Sequence, residues 1–140
     1  KKFHPSGNLG NKLKTASDIM LTKSKIPFIN ENQYMKKALK VINSKGLGFL
    51  VIINNQGLTS GVFTDGDLKR IMQKKNKIKN FKIKSFMTKN PFCVEKNTLV
   101  SEILFQMNKR KITNVCVYER ESKKKTIGVI HIHHLLNNLG

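Results

Sequence analysis

The chain has 140 residues, enough for one compact domain or two small modules sharing a core, and its 39% hydrophobic content excludes wholesale disorder. It carries 24 Lys, 3 Arg and 8 acidic residues, a net charge of +19. No apolar run approaches the roughly 18 residues of a membrane span, and Cys93 and Cys116 form no CxxC pair, which excludes a disulfide framework.

The lysines are scattered. Together with 15 Asn and 14 Ile they read as solvated positions filled by A/T-biased coding. Base readout and bidentate phosphate recognition favour Arg instead. The start, Lys1-Lys2-Phe3-His4-Pro5, lacks the apolar core of a signal peptide, and buried free thiols fit a reducing compartment, so a cytoplasmic protein is expected.

In chain order, a short extended segment follows Pro27. A helix is then predicted from Met35, Ala38, Leu39 and Ile42, at spacing i, i+3, i+4, i+7, with Asn32 as N-cap. Phe49 to Ile53 reads as a buried strand, Asn54-Asn55-Gln56-Gly57 as a hairpin turn, and Leu58 to Phe63 as the returning strand. A helix over Asp65 to Gln73 precedes the lysine-rich connector 74–80, with Phe81 and Ile83 anchoring the join. The order then recurs. Pro91-Phe92-Cys93-Val94 opens it, and Val100, Ile103, Leu104 and Met107 form a second stripe capped by Thr98. Val115 to Tyr118 is a strand, 119–125 a charged loop, Thr126 to Ile130 a strand, and His133 to Asn138 a helix. Both stripes are core or dimer interface.

The recurrence is an internal repeat. Met20 and Met87 lie 67 positions apart, as do Gly61-Val62-Phe63 and Gly128-Val129-Ile130, and Pro27-Phe28-Ile29 corresponds to Pro91-Phe92-Cys93. The fold class is α/β (α+β): two β-α-β-β-α units with pseudo-two-fold symmetry. Residues 17–79 form the first module, 80–140 the second, and 1–16 the remnant of an upstream junction. One unit of about 60 residues is marginal alone, so the two are expected to share a core.

The repeat resembles the CBS pair, or Bateman module, over residues 17–139. Gly61-Val62-Phe63-Thr64-Asp65-Gly66-Asp67 carries the most specific part of the likeness. The stretches His4 to Gly10, Ser17 to Met20, Lys45 to Gly48, Gly61 to Leu68 and Gly128 to His133 resemble the C-terminal part of the arabinose-5-phosphate isomerases. In that family an N-terminal SIS domain interconverts ribulose 5-phosphate and arabinose 5-phosphate for Kdo and lipopolysaccharide synthesis. The resemblance implies a regulatory fragment that lacks this catalytic domain. His4 matches a family active-site histidine and has no catalytic role here. The family also implies CBS packing into a homodimer.

The resemblance places a nucleotide at Thr64 and Asp67. A hydroxyl at a helix start can donate to phosphate, and a carboxylate three residues on can accept from a ribose diol. Asp65 lies between them, and Pro27, Phe28, Leu47 and Gly48 would hold the base. Thr-x-x-Asp is also a capping box, and both roles can coexist. A weaker second site would use Thr113, His131 and His134, the last two standing where Thr64 and Asp67 stand in the first repeat. Expected ligands are AMP, ADP, ATP or CMP-Kdo, with no cofactor required.

His131, His133 and His134 invite a metal, but three histidines across a strand-to-helix junction do not converge readily, and no metal is expected. Lys69 and Arg70 either screen phosphates or form a solvated face. No nucleophile-base pair, Walker loop or Rossmann fingerprint is present, so no catalysis is expected of this chain. Two alternatives stand. One is a basic nucleic-acid binder using Lys79-Asn80-Phe81-Lys82. The other is a CBS pair with a purely structural, oligomerising role.

Overall fold

The computed structural model describes residues 13–73 and 77–139. His4 and the junction motif around it lie outside them. The described elements are α1 (Ala16–Ile19), β1 (Phe28–Asn30), α2 (Met35–Lys45), β2 (Phe49–Ile53), β3 (Thr59–Thr64) and α3 (Asp65–Met72), followed by β4 (Thr88–Lys89), β5 (Cys93–Glu95), α4 (Val100–Arg110), β6 (Asn114–Tyr118), β7 (Gly128–His131) and α5 (Ile132–Asn137). The two β-α-β-β-α units are β1-α2-β2-β3-α3 and β5-α4-β6-β7-α5.

Each unit builds one sheet. In the first the order is β1-β2-β3-β4, with β1 parallel to β2 and the other pairs antiparallel. In the second it is β5-β6-β7, again parallel then antiparallel. Strand alternation sends one set of side chains under the helices and the other toward the opposite sheet. Leu50, Ile52 and Phe63 pack with Met35, Ala38 and Ile42 of α2 in one core. Val115, Val117 and Ile130 pack with Val100, Ile103 and Met107 of α4 in another. Between the sheets Phe49, Val51, Cys116 and Val129 join a third cluster, the shared core that lets two marginal units stand together.

Two segments cross between the halves. Ala16 and Ile19 of α1 are buried in the second core, whereas Ile83, fully buried, lies in the first with Phe86 and Met87 beside it. Backbone bonds fix the exchange. Leu21 and Val129 bond each other reciprocally at 2.9 and 3.0 Å, and β4 pairs with Gly61 and Val62 of β3.

The exchange also corrects the expected helix caps. Tyr34 and Leu99, not Asn32 and Thr98, are the N-cap residues, and neither uses its side chain. Crossing backbone supplies the missing acceptors: Met35 N–H donates to Phe81 O at 2.8 Å, and Val100 N–H to Lys14 O at 2.9 Å. Free helix N–H groups need a partner, and a carbonyl from another segment satisfies them as a side chain would. Asn32 instead donates its N–H to the Asn30 side chain in a local turn.

Candidate functional site

A cleft of about 700 Å³ opens between the halves. Its first wall is the β3–α3 junction, where Thr64 ends the strand and caps the helix. Thr64 Oγ1 accepts from Asp67 N–H at 3.1 Å, and Asp67 Oδ2 accepts from Thr64 N–H at 3.0 Å. The capping box is therefore complete, and it orients both side chains from the backbone. Asp67 Oδ1 pairs with Arg70 one turn along α3. The Arg70 side chain is 69% exposed and that of Asp67 17%, so the pair is worth little as stability and Arg70 can exchange its partner cheaply.

Leu47 and Gly48 enter the cleft just ahead of β2. Gly48 has φ +71°, and a Cβ there would stand 3.0 Å from Asp65 Oδ2. Only glycine meets both conditions comfortably, which keeps this lip open beside Asp65.

The second wall comes from the other half. His131 caps α5 as Thr64 caps α3: its Nδ1 accepts from His133 N–H at 3.1 Å. That bond requires an unprotonated Nδ1. Burial holds the His131 pKa below the ordinary histidine value, and the neighbouring His133 and His134 push the same way. The rings of His131 and His133 stack at 5.0 Å. Thr113 and Asn114 lie alongside, and Arg110 and Lys111 bring positive charge from the end of α4. The Arg110 guanidinium covers the Phe92 ring at 3.8 Å, a cation–π contact at the cleft wall.

Of the residues expected at the first site, the structure brings together Thr64, Asp65, Asp67, Leu47 and Gly48, and it adds Thr113 and His131 from the second set. It does not bring Pro27 and Phe28 to this cleft. Pro27 is buried, with its carbonyl accepting from Val51 N–H at 2.9 Å, and Phe28 packs against the inter-sheet cluster. Their repeat counterparts Pro91 and Phe92 line the cleft instead. His134 is not among the cleft residues either. Its Nε2 lies 2.8 Å from Ile19 O, so the imidazole N–H donates to the crossing α1 segment. The repeat had paired the two Pro-Phe segments, but no residue pattern tells which of them faces which helix end. Arg110, Lys111 and Asn114 carried no sequence signal beyond residue type.

Cys93 and Cys116 are free and sit opposite each other on β5 and β6. Hydrogen bonding to Cys93, followed by burial, pushes the Cys116 thiol well up, so it is not a thiolate nucleophile. Among the described residues no cluster of three His, Cys, Asp or Glu side chains is placed to hold a metal, and no helix is long and apolar enough to cross a membrane.

Comparison with known proteins adds three findings. The CBS domain family matches residues 16–74 and 83–140. The chain is 37% identical over 134 residues to an arabinose 5-phosphate isomerase of Yersinia pestis; the match covers 95% of this chain and 40% of that protein's length. Two solved structures share the fold. The CBS domain pair of protein MJ0100, in complex with 5′-methylthioadenosine and S-adenosyl-L-methionine, has TM-score 0.77 and 21% identity, covering 89% of this chain and 94% of that one. CBSX2, in complex with AMP, has TM-score 0.73 and 20% identity, covering 88% and 93%.

Proposed function

The chain belongs to the CBS domain family, and we propose that it is a regulatory pair whose inter-half cleft binds a nucleotide or nucleotide-sugar. One observation carries this reading: a single cleft joins the acidic, hydroxyl-bearing start of α3 to apolar walls and to Arg70, Arg110 and Lys111. Those features match the three parts of a nucleotide. Asp67 accepts from the ribose, the basic side chains hold phosphate, and Pro91, Phe92 and Leu47 flank the base. Arg70 leaves Asp67 for the phosphate as the ligand enters, freeing Oδ1 for a hydroxyl. The AMP and S-adenosyl ligands of the structural neighbours support this class of ligand.

The likeness to arabinose 5-phosphate isomerases supports a cytoplasmic parent with a SIS domain in the Kdo pathway, which this pair modulates or holds together as a homodimer. A ligand contacting both walls shifts the attached domain only by binding one arrangement of the halves better than another.

The test is thermal unfolding with AMP, ADP, ATP, CMP and CMP-Kdo, repeated on Asp67→Ala. A ligand at 100 times its dissociation constant stabilises the fold by about 2.7 kcal/mol. The variant loses a cap, so the comparison is the ligand-induced shift and not the starting midpoint. A shift for one compound that vanishes in the variant supports the sensor. No shift for any of them favours a packing role, which the fully satisfied capping box of Thr64 and Asp67 would already serve.

A further inference from the structure

Cys93 and Cys116, the only cysteines of the chain, have no part in the proposed function. They are direct partners in the parallel β5–β6 ladder. Neighbouring strands lie about 4.8 Å apart and paired residues share a face, while a disulfide spans Cα atoms about 4.4–6.8 Å apart. Both side chains join the cluster between the sheets. The first half opens its own parallel ladder with Phe28 against Val51, two apolar residues of the same cluster. Packing at this place is thus met without sulfur, and the second half sets a pair of thiols there.

The two thiols differ. Cys116 is 1% exposed, whereas Cys93 is only half-buried and donates to Pro91 O at 3.4 Å. A hydrogen bond from Cys116 draws the Cys93 pKa below its ordinary value, and that bond, then burial, raises that of Cys116. Thr126, itself buried, also hydrogen-bonds Cys116 and favours its thiolate.

We propose that Cys93 and Cys116 form a modification site, a dithiol that a hydroperoxide oxidises reversibly to an intrachain disulfide; this does not rest on the nucleotide reading. The more exposed Cys93 reacts first. Its thiolate sulfur attacks the peroxide O–O bond, is oxidised to a sulfenic acid, and releases hydroxide or alkoxide, which takes up a proton. The Cys116 sulfur then attacks the Cys93 sulfur. The S–S bond forms as the S–O bond breaks, and the departing hydroxide leaves as water with the Cys116 proton. Cys116 needs no contact with the oxidant and no standing charge, only its place beside Cys93. The bond ties Cys116, on the floor of the cleft, to the strand entered through Pro91 and Phe92.

The experiment treats the dilute whole chain with hydrogen peroxide, counts free thiols after unfolding, and maps the linked peptides by mass. Both thiols are expected to be lost into one intrachain link and restored by dithiothreitol. Cys116→Ala and Cys116→Ser are expected to stop at a Cys93 sulfenic acid that dimedone traps, and Cys93→Ser to leave Cys116 unreacted in the folded chain. Two thiols that survive peroxide, sulfinic acid at Cys93 without a link, or a link between two chains overturns the proposal. Oxidation of Cys116 in Cys93→Ser as fast as that of Cys93 in the Cys116 variants overturns the order of attack.

Discussion

Gly61 and Gly128 hold equivalent places in the repeat, yet alanine at each should have different consequences. A Cβ on Gly61 would stand 2.5 Å from Thr88 O and 3.1 Å from Met87 Cγ and Sδ. Thr88 O belongs to backbone held in the β3–β4 ladder, so it cannot turn aside without loosening the crossing segment. Overpacking of this kind costs about 1–3 kcal/mol, while replacing glycine at an ordinary φ returns about 0.4–1 kcal/mol through the unfolded chain. The net expectation for Gly61→Ala is a loss of about 1–2 kcal/mol, or roughly 3–7 °C in Tm at this chain length. At Gly128 the two nearest atoms are the Sδ and Cγ of Met20, which can rotate away, and the third, the Met20 Cβ, stands at 3.0 Å. Gly128→Ala should therefore cost under about 1 kcal/mol. Urea unfolding of both variants, alone and combined with Met87→Ala or Met20→Ala, separates the cases. Met20→Ala should remove most of the cost of Gly128→Ala, leaving only the 3.0 Å approach of the Met20 Cβ, and Met87→Ala should leave most of the cost of Gly61→Ala. Equal costs at the two glycines, or full rescue of Gly61→Ala by Met87→Ala, would refute the backbone-clash argument.

Three further outcomes are expected. His131 is held neutral in the fold, so its cap is complete above the ordinary histidine value of 6.5 and is lost as pH falls from there through the lowered folded value. Urea unfolding between pH 8 and 5 should show wild type losing up to about 1 kcal/mol, the scale of an N-cap, relative to His131→Thr. His134→Ala should cost about 1 kcal/mol by leaving Ile19 O without its donor, and His134→Asp should cost more because it sets a carboxylate against that carbonyl; chemical denaturation ranks the two. Arg70→Ala should leave stability within about 1 kcal/mol of wild type, since its ion pair is exposed, while weakening AMP binding and flattening its salt dependence in titrations at two ionic strengths.

Much of this architecture was legible because local rules and burial agree. Met35, Ala38 and Ile42 announce a helix face, and they are the buried face of α2. Thr64 and Asp67 read as a capping box, and their bonds form one. What stayed hidden depends on contacts between distant parts of the chain. Asn32 and Thr98 have the right chemistry for caps, but carbonyls of Phe81 and Lys14 arrive at the helix starts first. Phe92 and Phe28 are interchangeable as sequence, and only the packing of the two sheets decides that Phe92 faces the cleft. His134 stands where Asp67 stands in the first half, yet it donates to a crossing backbone oxygen, a bond for which an ionised carboxylate has no hydrogen to give.

The crossing segments make the halves unequal in a way their likeness conceals. All side chains of the first core lie within one uninterrupted stretch, from Ile29 to Met87. The second core needs Ala16, Ile19 and Met20 from one end of the described chain and residues 92–135 from the other. One half is thus nested inside the other. A chain emerging from the ribosome has every residue of the inner helix-facing core available before β7 and α5, which α1 must meet, have been made. Joining Leu21 to Val129 closes a loop about four times as long as joining Val62 to Thr88, at about 1 kcal/mol more entropy. α1, near the start of the described residues, packs in the half that carries His131. The acidic lip at Asp67 belongs to the nested half, and the facing wall at His131 belongs to the half that α1 completes, so the cleft is bounded by one continuous stretch of chain and one stitched from its two ends.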